Sequence, residues 1–497
     1  MSTKFKSKRA PGMPVGYKDV HDDPLSQALM PPEDESPEDR ALRMEKQQEA
    51  TRISREIDES IQESKKAYEK RKKAIKVLLL GQAESGKSTT LKNFQLAFTP
   101  NHFRSERAAW KTIIQLNLIG SIKKLLEVLQ DEMDSVPQIK PSTPSISVSR
   151  SSSSIRLPGT NLTDNHRRIR MRLSPLISME AALARKLLPE NFDPERSSRD
   201  ICVRANSGWK TTLERATSPD ARPGSSTKSG ARRISSRPGT SDTRSRDDPT
   251  AVLAACKDDI LLLWEDPIVK DVLQKHNVRL EDSPGFFLND VARVADPNYE
   301  PTDVDIVRAR VRTFGVEEHK FVLENGTMGA TPGSEWYIYD VGGSRSMRQH
   351  WVPYFDDVQA IIFLAPLTFN QVLEEDSRVN RLEDSIYLWK EVCSNPLLAR
   401  STLILFLNKM DILEANLNAG ISVQKYVPSY GDAPNDIEHV TRYFKEKFRA
   451  YQKRLSPRQR PFFCHETSAI DTHATSAILI GVREGILRGH LQKMNVI

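Results

Sequence analysis

One segment of the chain leaves little freedom in the fold. Ile75-Lys76-Val77-Leu78-Leu79-Leu80 is a short apolar run of buried-strand length, and it leads directly into Gly81-Gln82-Ala83-Glu84-Ser85-Gly86-Lys87-Ser88-Thr89. This is the pattern G-x-x-x-x-G-K-[ST] in the setting it requires, a strand turning into a helix. Gly81 and Gly86 let the backbone wrap an anion, so that N–H groups and a helix N-terminus face phosphate oxygens. Lys87 is expected to reach the β- and γ-phosphates, and the Ser88 hydroxyl suits Mg²⁺. A nucleoside triphosphate is the expected ligand, with Glu84, Ser85 and Thr89 completing the loop that holds it.

A second buried run, Leu403-Ile404-Leu405-Phe406-Leu407, ends in Asn408-Lys409-Met410-Asp411. The Asp411 carboxylate can accept from both the ring N1–H and the exocyclic amine of guanine, a donor pair that adenine lacks. The Lys409 stem can lie over the ring while Asn408 ties this loop to the phosphate site. A last strand, Pro461–Glu466, precedes Thr467-Ser468-Ala469, where the Ala469 N–H can donate to the guanine oxygen. The ligand is therefore expected to be GTP or GDP. An ATPase or kinase of the same loop class is disfavoured by Asn408–Asp411.

At 497 residues the chain has room for two or three domains, and 38% hydrophobic residues suffice for a core, while 30 prolines indicate sizeable unstructured stretches. No apolar run approaches the roughly 18 residues that span a bilayer, and there is no secretory apolar region. Four cysteines without metal-ligand spacing fit a reducing, intracellular setting. The net charge of +7 is modest and falls largely in segments of disordered composition, so no nucleic-acid partner is expected.

Residues 1–35 read as a flexible arm. Ser36, Pro37 and Asp39 open a long polar helix over 36–74, whose narrow stripe of Ala50, Ile53, Ile57 and Ile61 is too thin for a core and suits either a solvated helix or, given its length, a docked partner. The strand at 75 and a helix to about residue 97 belong with residues 306–497, where strand and helix patterns alternate. Strands are expected at Phe321–Glu324, Trp336–Tyr339, Ala360–Leu364, Leu403–Leu407 and Phe462–His465, with helices at Val379–Val392, Ile437–Arg454 and Thr475–Met494. Together they predict a six-stranded doubly wound α/β sheet. Residues 98–305 form a helical insertion. Within it Ala108–Gln130 is amphipathic, Met179–Leu188 is a short helix, and further helices pass through Leu263-Trp264 and Phe286–Asp290. Segments of about 136–178 and 216–250 are expected to be unstructured; eight of the thirteen residues from Ser142 to Ser154 are serine.

Asp340-Val341-Gly342-Gly343 closes a strand, where the Asp can hold a Mg²⁺-bound water and a Gly amide can touch a γ-phosphate. Upstream, Arg308-Ala309-Arg310-Val311-Arg312-Thr313 offers an Arg and a Thr two residues apart, for transition-state phosphate charge and Mg²⁺ respectively. With these residues in place the chain resembles the α subunits of heterotrimeric G proteins. The likeness runs through Gly81–Thr89, Pro297–Gly315, Asp340–Arg345, Trp351, Asn408–Asp411 and Thr467–Ala469. It implies a Ras-like GTPase domain with an all-helical domain inserted after the first helix, an N-terminal helix that docks a βγ dimer, and a C-terminal helix read by a seven-helix receptor. It further implies that Arg310 is a built-in arginine finger paired with Glu84, that Thr313 and Ser88 ligate Mg²⁺, that Gly343 senses the γ-phosphate, and that Arg308 is a further nucleotide contact.

Departures from the family pattern gather at hydrolysis and anchoring. Ser344 stands where the family has the Gln that orients the attacking water, and Ala83 where it has Gly. Phe314 replaces a Thr and Met347 a Glu. Ser2 replaces the glycine that myristoylation needs, with no cysteine nearby for palmitoylation. Lys4, Lys6, Lys8 and Arg9 around Phe5 offer weak contact with an anionic surface, so a peripheral place on the cytoplasmic face of the plasma membrane is expected. Two functions compete: a receptor-coupled switch that acts on an effector and hydrolyses GTP slowly through Ser344, and a GTP-holding scaffold that does not cycle.

Overall fold

The computed structural model describes residues 36–134, 162–187, 202–204, 210, 249–322 and 335–493, apart from 277, 282 and 469. The chain divides into two units at Lys73/Ala74. In the first, helix α1 (Pro37–Lys73) is capped by Ser36, whose Oγ accepts from Asp39 N at 3.1 Å. Ile53, Ile57 and Ile61 are exposed along it, and ion pairs such as Arg52 with Glu49 and Glu56 support its polar face.

The second unit begins with β1 (Ile75–Leu80) and α2 (Lys87–Phe98). Helices α3 (Pro100–Ser105), α4 (Arg107–Asp134), α5 (Asp164–Arg172) and α6 (Ser174–Leu187) follow, then the short β2 (Cys202–Arg204). Next come α7 (Pro249–Glu265), α8 (Pro267–Lys275), α9 (Val291–Val294) and α10 (Asp303–Arg308). The remainder is β3 (Arg312–Phe314), β4 (Val316–Val322), β5 (Glu335–Val341), β6 (Ala360–Pro366), α11 (Arg381–Ser394), β7 (Thr402–Asn408), α12 (Met410–Asn418), α13 (Val423–Tyr426), α14 (Ile437–Leu455), β8 (Phe462–Glu466) and α15 (Thr472–Lys493).

Six strands form one sheet in the order β4-β5-β1-β6-β7-β8, all parallel except β4, which runs antiparallel to β5. Alternation splits the strands between two cores. Leu78 and Leu80 of β1 face one core with Leu388, Trp389, Phe444 and Phe448 of α11 and α14, while Ile75, Val77 and Leu79 face another with Leu91, Phe94 and Leu479 of α2 and α15. A third core lies mainly among helices: Ile113, Leu116, Ile122 and Leu129 of α4 pack with Leu253, Ile260 and Leu263 of α7 and Val269 of α8. Strand order reverses around β1, which has β5 on one side and β6 on the other, and the crevice at such a point lies beyond the strands' C-terminal ends.

Several expectations need correction. The segment expected to be unstructured to residue 178 is helical from Asp164. A capping box between Thr163 and His166 starts α5, and Leu162, Ile169, Leu173 and Leu176 are buried in the helical core. The helix expected from Met179 therefore begins at Ser174. Phe286–Asp290 is not a helix: a 3₁₀ turn covers Leu288–Asp290 and leads into α9. The strand expected at Phe321 begins at Val316, because Glu317, Glu318 and His319 pair with β5 despite their polarity. The arm 1–35 and residues 136–161 and 216–248 lie outside the described residues.

Trp389 is fully buried, donates to Phe448 O at 2.9 Å and packs against Phe363 with ring centroids 5.0 Å apart. Trp389→Ala is expected to cost about 3–5 kcal/mol, read as a lower urea midpoint for loss of the sheet domain.

Candidate functional site

A cleft of about 470 Å³ opens at the C-terminal ends of the strands, in the size range of small-molecule sites. Its floor is the loop after β1. Glu84 and Gly86 take positive φ, 60° and 99°, which folds the loop into a cradle before α2. At Gly81 a Cβ would meet Leu364 O at 2.6 Å, so only glycine fits. Lys87 is buried, its Nζ donating to Gly81 O and Gln82 O at 2.9 and 2.8 Å. Burial pulls its pKa down to about 8, against the raising pull of Asp340.

Asp340, the last residue but one of β5, stands above this loop. Ser88 Oγ donates to its Oδ2 at 2.6 Å, while its Oδ1 is buried without a protein partner. Ser85 Oγ is likewise buried and unpartnered. An orphaned carboxylate oxygen beside a hydroxyl fits a Mg²⁺-bound water, and a cradle of amides with a buried lysine fits a polyphosphate. Gly343 lies directly on the loop: a Cβ there would meet Gln82 C at 2.4 Å and Ala83 N at 2.5 Å. Ser344, half-buried, begins the 3₁₀ segment Arg345–Tyr354, and its Oγ lies 3.4 Å from that of Ser346. Trp351 Nε1 donates to Gly342 O at 3.0 Å, and Arg348 grips Asp384 of α11 in a two-pronged ion pair.

The loop after β7 forms the opposite wall. Asn408 Nδ2 donates to Ser85 O at 2.7 Å, and its Oδ1 accepts from Thr467 Oγ at 3.1 Å, so this loop, the phosphate loop and the loop after β8 are tied together. Lys409 takes φ 62° at the start of α12, and Asp411 is exposed to the cleft with Ser468 Oγ donating to it at 2.8 Å. Ala469 lies outside the described residues, and its neighbour Ile470 lines the cleft.

The helical side supplies the roof. Arg310 is fixed through its backbone by Asn117 of α4, which donates to Arg310 O at 2.9 Å and accepts from Arg310 N at 2.6 Å. Its guanidinium reaches Glu84 at 2.5 Å. Arg308 lines the cleft but is engaged with the helical lobe, donating to Asp290 and to Phe286 O. Thr313 is placed by backbone alone, in β3 opposite Val203 of β2. Two residues of the site carry no sequence signature. Lys92, one turn beyond the motif, is buried and donates to Ile306 O and Ala309 O, while lying 4.1 Å from the centre of the Trp110 ring. Arg381, first residue of α11, joins Glu84 from the other side at 2.9 Å.

Gly343→Ala sets a methyl against backbone that has no room to move. Overpacking of this kind costs about 1–3 kcal/mol. The expected outcome is a fall of that size in unfolding free energy, read from the urea midpoint; an unchanged midpoint would mean that the two loops move apart at no cost.

A family model described as "G-protein alpha subunit" matches residues 51–486. The chain is 32% identical to the guanine nucleotide-binding protein alpha-4 subunit of Mycosarcoma maydis, with 95% of each chain covered. It is 26% identical to a guanine nucleotide-binding protein subunit alpha of Candida albicans, over 90% of this chain and 95% of that one. With the alpha-2 subunit of Neurospora crassa it shares 25% identity, over 89% and 95%. A matched span this long, on a six-stranded sheet whose loops converge on one cleft, places the chain in the G-protein alpha subunit family of guanine nucleotide-binding proteins.

Proposed function

We propose that this protein is a signalling switch, GDP-bound at rest, activated by exchange for GTP and reset by slow hydrolysis of GTP to GDP and phosphate. The observation that carries this reading is the Asn408–Ser85 hydrogen bond, which joins the base-reading loop and the phosphate loop into one site. Asp411 reads the guanine edge, Lys409 covers the ring and the Ala469 N–H donates to the guanine oxygen. Lys87 and the loop amides hold the phosphates. Ser88 and Thr313 would hold Mg²⁺, with Asp340 beside them, and the ion would supply neutralisation of phosphate charge. Gly343 donates its amide to the γ-phosphate, and Arg310 moves from Glu84 to the charge that develops in transfer. Helix α1 presents its Ile53/Ile57/Ile61 stripe to a βγ dimer and α15 meets a seven-helix receptor, so that membrane contact is peripheral.

Slow turnover follows from Ser344. Its side chain is too short to orient water against the γ-phosphate from the 3₁₀ segment, and the Ala83 methyl crowds the same approach. Ser344→Gln is expected to raise single-turnover hydrolysis by about 10²-fold, the scale on which misplacing a nucleophile by about 1 Å acts, at unchanged GTP affinity. Adding Ala83→Gly raises it further, and Arg310→Ala in the Ser344→Gln background abolishes the gain. A parent as fast as Ser344→Gln would assign the water to another residue. The same Ser344 favours a second reading, a scaffold that holds GTP without cycling; GTP rather than GDP co-purifying with the protein would select it.

Base recognition has its own test. Asp411→Asn replaces an acceptor by a donor and is expected to move preference from GTP to XTP by roughly 10-fold or more, one hydrogen-bond pair being worth about 1–3 kcal/mol. Unchanged preference in competition binding would mean that this loop does not read the base.

A further inference from the structure

Glu84 is held by two guanidinium groups at once. Its Oε1 accepts from Arg310 at 2.5 Å and its Oε2 from Arg381 at 2.9 Å. Arg381 is 4% exposed and cannot swing: its Nη1 donates to Ala83 O at 3.2 Å, and its own carbonyl accepts from Gln82 Nε2 at 2.9 Å. Arg310 is held differently, through its backbone by Asn117 of α4. It approaches from the helical lobe, and the far side of its guanidinium meets the half-exposed Glu374 at 3.7 Å. Burial alone would push the Glu84 carboxyl up, but Arg310, then Arg381 and Lys409, hold it down at about 2. Glu84 therefore stays ionised, and it needs a cation beside it at every stage.

That requirement exposes a difficulty in using Arg310 for catalysis. When Arg310 turns from Glu84 to the γ-phosphate, a carboxylate in a closed cleft loses its partner, and an unpaired buried charge is strongly unfavourable. We propose that Arg381 is a positioning residue for hydrolysis, the fixed counter-ion that keeps Glu84 neutralised and thereby frees Arg310 to leave it. The proposal rests on the GTPase reading above. Arg381 does not touch the nucleotide in this role. It acts through Glu84, on the equilibrium between two seats for Arg310. Its fork suits the task because one prong is anchored on the backbone of the phosphate loop while the other serves the carboxylate.

The test is single-turnover GTP hydrolysis by the full chain, after guanine-nucleotide binding has been measured on the same samples. A parent that binds no guanine nucleotide would fail the reading above; the comparisons that follow fail or support Arg381 alone. Arg381→Met is expected to slow hydrolysis about tenfold by locking Arg310 onto Glu84. Glu84→Gln in the Arg381→Met background is expected to restore the parent rate, because a neutral amide needs no counter-ion. A part that only braced the phosphate loop would gain nothing from that second change. In the Arg310→Ala background, Arg381→Met should have no further effect on the rate. Arg381→Lys keeps the charge without the fork and is expected to stay within about threefold of the parent; it also serves if Arg381→Met does not fold. Arg381→Met at the parent rate, failure of Glu84→Gln to rescue, or Arg381→Lys slowed as far as tenfold would each overturn the proposal.

Discussion

The hydrogen bond from Asn408 Nδ2 to Ser85 O is the constraint on which the site depends. It joins two loops more than three hundred residues apart in sequence, at the ends of strands β1 and β7 with β6 between them. Met410 packs the loop after β7 against the core, but the phosphate loop has no large apolar side chain of its own. What holds them is a buried donor and a buried acceptor that would each be costly to leave unmatched. Thr467 extends the same chain of bonds to the loop after β8. The three loops thus share one frame, and under the proposed reading a guanine nucleotide that spans them meets a geometry set before it arrives.

The cleft is built around an excess of cations. Lys87, Arg310 and Lys409 are among the five cations that line it, with Glu84, Glu281 and Asp411 as the acidic residues in the lining. Burial draws both lysines down to about 8, so the folded protein holds them charged against its own desolvation. A polyanion relieves that tension. The same logic explains why Glu84 carries two arginines: in a crowded cationic site, each carboxylate decides where its neighbours can rest.

Much of this was legible in the sequence, for reasons that can be named. Strands β1, β6 and β7 are buried on both faces and read as continuous apolar runs, and the motif residues sit in the turns that follow them. Local signals failed where structure is set by distant partners. Arg168, Arg170 and Arg172 disguise α5 as a polar tract, yet Ile169 and Leu173 are buried against helices that begin some eighty residues later. β4 hides its pairing behind Glu317, Glu318 and His319. Arg381 is an ordinary helix-opening arginine until the fold sets it beside Glu84, 297 residues away. Lys92 shows no motif at all, only a buried ammonium bridging to the carbonyls that lead into Arg310.

The helical core has a further consequence for how this chain tolerates its own length. Helices α4 to α8 bury their apolar faces against one another. The entropy of closing a flexible connection grows only logarithmically, about 0.6 kcal/mol for each doubling of its length. Residues can therefore be added between α4 and α5, or between β2 and α7, at almost no thermodynamic penalty to the lobe. The serine- and arginine-rich tracts fall in those connections. Length added there is a smaller perturbation than one residue inserted within a strand of the sheet, which would turn every side chain beyond it to the opposite face.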